Sequence, residues 1–431
     1  MTRDIGFLRD LLARITDTGR GLLAPQPPAA TLTEMCEGLL SSKGEATGLA
    51  QASAILDAYA KLSEEKRRGF FADLRDRFGA DPAAVTNAIE RWKSQGPAAL
   101  RAVHFASEPR SQEVIRRLNR APGGTARLVV MRNDLLALIA DDPSLAPLDA
   151  DFRHLFSSWF NRGFLELRRI DWSTPASILE KIIQYEAVHE ITGWDDLRRR
   201  VAAADRRLYA FFHPALDDDP LIFVEVALTE KVPNRIQDLL SESRAVLDPV
   251  SARAAVFYSI SNCQDGLRGV SFGNFLIKQV VEELQREFSQ ITTFVTLSPV
   301  PGLRKWVSQQ VREGALSARQ LAAAQALEQG DLANPGLIEL AAQYLVKARG
   351  KNGGAFDPVA RFHLGNGARL EAIHTQADTS AKGIEGSWGV MVNYLYEPSD
   401  IERNHEAYSN RGEIIVSASV RRLVTDMMRK G

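Results

Sequence analysis

Cysteine is scarce in this sequence. Cys36 and Cys263 are its two thiols, too few for a disulfide framework or a four-cysteine zinc site. That usage fits a reducing compartment. An excess of either charge is also missing. Lys and Arg number 53 against 54 Asp and Glu, so no global field draws a polyanion. The basic run Arg198-Arg199-Arg200 follows Asp195-Asp196-Leu197, the mixed pattern of a solvated helix face, and no nucleic-acid partner is expected. No apolar run approaches a membrane span, and Met1-Thr2-Arg3-Asp4 lacks an apolar signal core. Met428-Arg429-Lys430-Gly431 is not a peroxisomal ending. The expectation is a soluble, cytoplasmic chain with no membrane partner. The histidines are scattered, with no pair at i, i+4, so no metal site is expected.

What is present is text for two domains. At 431 residues the chain exceeds one ordinary core. Its first third reads as helices. Phe7, Leu8, Leu11, Leu12 and Ile15 fall at helical spacing, with a stop at Gly19–Gly21 and a Pro-rich link at 25–28. Ala-rich helical text follows through Ala50–Leu62. Ser63 then precedes an amphipathic stripe of Phe70, Phe71, Leu74 and Phe78. Asp81-Pro82 is a helix start ahead of Val85, Ile89 and Trp92. No strand is expected before about Leu128. After about Trp172 the texture turns β-rich: Leu208–Phe212, Leu221–Leu228, Ala254–Ser261 and Ile291–Leu297. An amphipathic helix, Phe275–Phe288, separates the last two. A helical insertion over 308–348 precedes strands at Ala368–His374 and Gly389–Leu395, and Ile414–Met428 closes the chain as a helix. The organisation predicted is an all-helical N-terminal domain over 1–155 and an α/β domain over 156–431.

Four segments of the α/β part can carry chemistry. Gln264–Asn274 joins a strand to a helix and contains Gly266, Gly269 and Gly273. Glycines let backbone approach a ligand, and the following helix start offers free N–H donors, so the junction can hold a pyrophosphate. It is not a P-loop, because Gly-Lys-Ser/Thr is missing. Thr296–Gly302 ends a strand in a Pro-rich turn and places Ser298 at a strand's C-terminal end, where α/β sites form. Alone, Ser298 reads as a turn serine, and no Gly-x-Ser-x-Gly elbow surrounds it. Asp357–Gly367 sets His363 among apolar neighbours, where an imidazole can transfer a proton or serve as a packed core residue. In Asn393-Tyr394-Leu395-Tyr396, alternation puts both tyrosines on one strand face.

Together these segments resemble the malonyl-CoA decarboxylase family. The matching text begins at Phe160-Asn161-Arg162-Gly163 and continues through Glu186-Ala187-Val188-His189 and Val224-Glu225-Val226. It is strongest from Phe257-Tyr258-Ser259-Ile260-Ser261 to Leu297-Ser298-Pro299-Val300-Pro301-Gly302, with later blocks at Pro358–Gly367 and Gly389–Tyr396. The likeness covers the last two-thirds of the chain and extends to the first third in texture. It implies a GNAT-like acyl-CoA-binding α/β domain, release of CO₂ from malonyl-CoA to leave acetyl-CoA, no cofactor, and a homotetramer. It carries a serine–histidine pair onto Ser298 and His363 and a nearby tyrosine onto Tyr396. It carries the coenzyme pyrophosphate onto Arg268, Gly269, Val270, Ser271, Phe272, Gly273 and Asn274. Animal members have a glutamate where this chain has Ser271. On the residues alone, an acyl-CoA-dependent acetyltransferase or a non-catalytic acyl-CoA sensor would share the same coenzyme site.

Overall fold

A computed structural model describes residues 2–22, 31–41, 44–270, 276–350 and 353–430, with side chains between residues 10 and 425. Ser271, Phe272, Gly273 and Asn274, part of the expected pyrophosphate loop, lie outside the described residues, as do the Pro-rich link and the side chains of Phe7 and Leu8. The chain forms two compact units. One comprises residues 1–166 with 212–219 and 264–272; the other comprises 167–211, 220–263 and 273–431.

In the first unit, short polar side chains start the helices. Ser63 accepts a bond from Lys66 N–H, and Asp81 accepts from Ala83 and Ala84 N–H with Pro82 at the first position. Phe70, Phe71, Leu74 and Phe78 are buried in its core with Leu128, Leu135, Phe152 and Phe156. Among the described residues no strand precedes Glu166. One expectation fails here. The helix Thr2–Leu22 runs through Gly19 and Gly21 instead of stopping. A Cβ on Gly19 would meet Ala46 O at 1.9 Å, so this glycine serves close helix contact rather than termination. The Val85–Ile89–Trp92 stripe is not core: Trp92 is 41% exposed, as are Leu100 (52%) and Phe105 (58%) on the next helix, Leu100–Ser107.

The second unit is built on an eight-stranded mixed sheet. Its strands are β1 (Glu166–Ile170), β2 (Arg206–Phe212), β3 (Pro220–Thr229), β4 (Ala254–Asn262), β5 (Thr293–Thr296), β6 (Ser298–Pro299), β7 (Arg369–His374) and β8 (Met391–Tyr396). The order is β1-β2-β3-β4-β5-β8-β6, with β7 also on β8. The helix Leu276–Glu287 connects β4 to β5 and makes their pairing parallel. This strand–strand–strand–helix–strand order is the one read from the sequence. Helices at Leu303–Glu313, Ala318–Glu328 and Gly336–Ala342 form the insertion, which begins five residues before residue 308. The chain's end departs from the reading. Ile414–Ser417 is extended, with Val416 bridged to Leu370, and the last helix starts at Ala418.

Two irregularities open the sheet. Between β3 and β4, Glu225 faces Ser259 while Val226 faces Phe257, which leaves Tyr258 as an extra residue in a bulge. The bulge resets the alternation, turning Ser259 and Ser261 to the face opposite Ile260. The β4–β5 ladder then covers only Ala254–Phe257, closing with Leu297 N–H on Phe257 O at 2.9 Å. β4 runs on to Asn262 while the other chain turns away through Ser298.

Candidate active site

A cavity of about 230 Å³ occupies the gap between the parted strands. Phe257, Tyr258, Ile260 and Asn262 line it from β4, Ser298 and Pro299 from β6, and Pro358, Val359, Phe362 and His363 from the helix Pro358–Gly365. Val188 completes the wall.

Local structure brings the polar groups together. Ser298 follows β5 and pairs with Val392 on β8, which turns its side chain to the cavity. Asp357 caps the helix by accepting Ala360 N–H at 2.8 Å and is held by the Tyr344 hydroxyl at 3.0 Å. One and a half turns later the helix delivers His363, whose Nε2 lies 3.1 Å from Ser298 Oγ. The other ring nitrogen, Nδ1, lies 2.8 Å from the Tyr396 hydroxyl. Tyr394 stacks on the imidazole with centroids 4.6 Å apart, so the two tyrosines of β8 hold the ring by face and by edge. All four side chains are buried.

Burial decides the charge state. The C-terminal turn of a helix favours a cation, yet removal from water pushes His363 down to about 3. The ring is therefore neutral near pH 7. Burial likewise holds the Tyr394 and Tyr396 phenols well above their usual range, so both stay protonated.

Sequence reasoning missed Thr296, Asn393 and His374. Ser298 Oγ–H donates to Thr296 Oγ1 at 2.9 Å, and Thr296 Oγ1 also accepts Tyr394 N–H at 3.1 Å. Asn393 Nδ2 donates to Thr296 O at 2.7 Å, and His374 Nε2 donates to Asn393 Oδ1 at 2.5 Å. The signal was spacing: residue 296 lies two before Ser298 on an extended chain and so shares its face. A second missed group sits beside the cavity. The buried Glu186 carboxylate accepts N–H bonds from Val188 and His189 and hydroxyl bonds from Ser259 and Ser261, tying the Val188 wall to β4. Next to it, burial pushes Glu225 up to about 8 despite Arg200 at 3.4 Å.

Of the expected pyrophosphate residues, Arg268, Gly269 and Val270 belong to the helical unit. Arg132, 1% exposed, donates to Gly266 O at 2.7 Å and Arg268 O at 2.8 Å while pairing with Asp149 at 2.8 Å. A Cβ on Gly266 would meet Val129 O at 2.0 Å, and Gly269 has φ +78°. The turn through Arg268, Gly269 and Val270 is thus fastened from beneath, with Arg268 and Gly269 exposed above.

Comparison with known proteins gives the family. The profile described as malonyl-CoA decarboxylase C-terminal domain matches residues 163–430, and the corresponding N-terminal domain matches 78–160. The chain belongs to the malonyl-CoA decarboxylase family. A mitochondrial member from Rattus norvegicus is 32% identical over 93% of this chain and 94% of its own. One from Anser anser anser is 37% identical over 82% of this chain and 78% of its own. Crystal structures of family members from Rhodopseudomonas palustris and Agrobacterium vitis are each 52% identical. They cover 91% of this chain and 98% and 99% of their own, with TM-scores of 0.87 and 0.85. The family is one of carboxy-lyases, and this chain is an enzyme of that class. No described helix is long and apolar enough to cross a membrane.

Proposed function

We propose that this enzyme converts malonyl-CoA to acetyl-CoA and CO₂, with Ser298 and His363 acting on the malonyl group. The observation that carries the reading is the bonded set Ser298–His363–Tyr396, whose Ser298 and His363 line the cavity between β4 and β6. Loss of CO₂ leaves an electron pair on the α-carbon, which the thioester carbonyl takes up as an enolate. The reaction itself therefore demands three services. The carboxylate must be held out of the carbonyl plane, which a hydrogen bond from Ser298 provides once its proton turns from Thr296 to the substrate. The enolate oxygen needs preorganised donors. The carbon must then gain a proton in place of the departed CO₂, from His363 or from a donor it polarises. Apolar walls from Phe257, Ile260, Val359 and Phe362 disfavour a localised carboxylate relative to the dispersed charge of the transition state.

The coenzyme pyrophosphate is assigned to the loop Arg268–Asn274. Its support is the sequence likeness, together with the Gly269 turn that Arg132 holds in place. Purified enzyme incubated with malonyl-CoA and no acceptor should release CO₂ and acetyl-CoA in equal amounts. An acetyltransferase would need an amine, and a silent acyl-CoA sensor would bind without turnover. Absence of CO₂ from folded protein that binds coenzyme A would overturn the proposal.

A further inference from the structure

The bonds around Ser298 determine more than proximity. A hydroxyl has one proton, and Ser298 gives its own to Thr296 Oγ1. The 3.1 Å contact between Ser298 Oγ and His363 Nε2 then needs its hydrogen from the ring. A neutral imidazole has one N–H. If Nε2 carries it, Nδ1 is bare and must accept from the Tyr396 hydroxyl at 2.8 Å. The line runs in one direction, Tyr396 to His363 to Ser298 to Thr296, and Tyr396, His363 and Ser298 each donate once.

We propose that Thr296 is a positioning residue that sets this direction, so that His363 rests with its proton on Nε2, facing Ser298. The inference rests on the reading of Ser298 and His363 as the reacting pair. Thr296 is suited to the part because it cannot turn away. It is 0% exposed, its side chain also accepts Tyr394 N–H, its carbonyl accepts Asn393 Nδ2, and the amide after it is tied to Phe257 O. His374 holds the Asn393 amide in the orientation this requires. Remove the Thr296 hydroxyl and the Ser298 proton has one remaining acceptor, His363 Nε2. The ring proton must then sit on Nδ1, donate to the Tyr396 oxygen, and point away from the serine.

The test is nitrogen NMR of the ¹⁵N-labelled His363 imidazole with steady-state kinetics on malonyl-CoA. Wild type should show a protonated Nε2 and a bare Nδ1. Thr296→Val, which keeps the side-chain shape, should reverse that pattern, and Thr296→Ser should restore it. In Thr296→Val, kcat should fall about tenfold or more, within the range of a misdirected proton-transfer group, with KM changed less than about twofold. Ser298→Ala and His363→Asn are run alongside. If they keep full turnover, the underlying reading fails. If they lose turnover while Thr296→Val changes neither tautomer nor kcat, this inference alone fails. Wild type showing Nδ1–H overturns it without any variant, whether or not Thr296→Val folds.

Discussion

A histidine that stays neutral down to about pH 3 cannot impose the usual imidazole limb on a rate profile. We expect kcat/KM for malonyl-CoA to show no inflection attributable to His363 between pH 5 and 8; a histidine-like limb near 6.5 that vanishes in His363→Asn would contradict this. The same shift acts on stability. The folded ring binds its proton less readily than the unfolded one, so acid favours unfolding, and the contribution is lost as pH falls from about 6.5 toward 3. Between pH 7 and 5 His363 should cost the fold up to roughly 2 kcal/mol, and denaturant titrations of His363→Asn should show a smaller drop over that interval. Turnover tests the pair as a unit. Ser298→Ala and His363→Asn should each lose about 10²–10⁴ in kcat, and the double variant should be little worse than the worse single one. Fully multiplicative losses would instead mean independent roles. Ser298, His363 and Tyr396 were readable in the sequence because long ordered text carried them. Thr296 and Asn393 were not, because their part is played through hydrogen bonds to Ser298 and to the backbone, which no residue type announces.

Elements were legible where periodicity is a local matter. β2, β3, β4, β7 and β8 and the helix Leu276–Glu287 fall within about two residues of their predicted places, since β2, β3 and β4 are continuous apolar runs buried on both faces and the helix buries one face of matching period. β1 was passed over because Glu166-Leu167-Arg168-Arg169-Ile170 is charged and largely unburied, an edge strand defined by its neighbour. The two-residue β6 and the bulge at Tyr258 exist only through pairing. The glycine turn after β4 carries its own prediction. Gly269 sits at φ +78° beside Arg268, and Gly269→Asp adds strain and a negative charge where pyrophosphate is proposed. Coenzyme A affinity should fall by about tenfold or more, measured by calorimetry on protein with wild-type circular dichroism. Unchanged affinity in a folded variant would remove the phosphate from this turn.

Across the whole molecule, the exposed apolar side chains of the helical unit ask for a partner. Trp92, Leu100 and Phe105 lie on consecutive helices that carry none of the chemistry proposed here. We propose that this face mediates self-association, in keeping with the homotetramer the family resemblance implies. Light scattering of the full chain should give a multiple of the 47.6 kDa protomer, and Trp92→Glu with Phe105→Glu should lower it. A wild type at monomer mass would dispose of the idea. Substitution is the right instrument, because the unit cannot be cut off. Residues 212–219 and 264–272 belong to it although they are strung between strands of the other unit. The consequence is genetic as much as mechanical. A recombination that carried off residues 163–430 would take the Gly266 turn without Arg132, leaving its carbonyls orphaned. A single crossover at that point should therefore cost the turn its anchor.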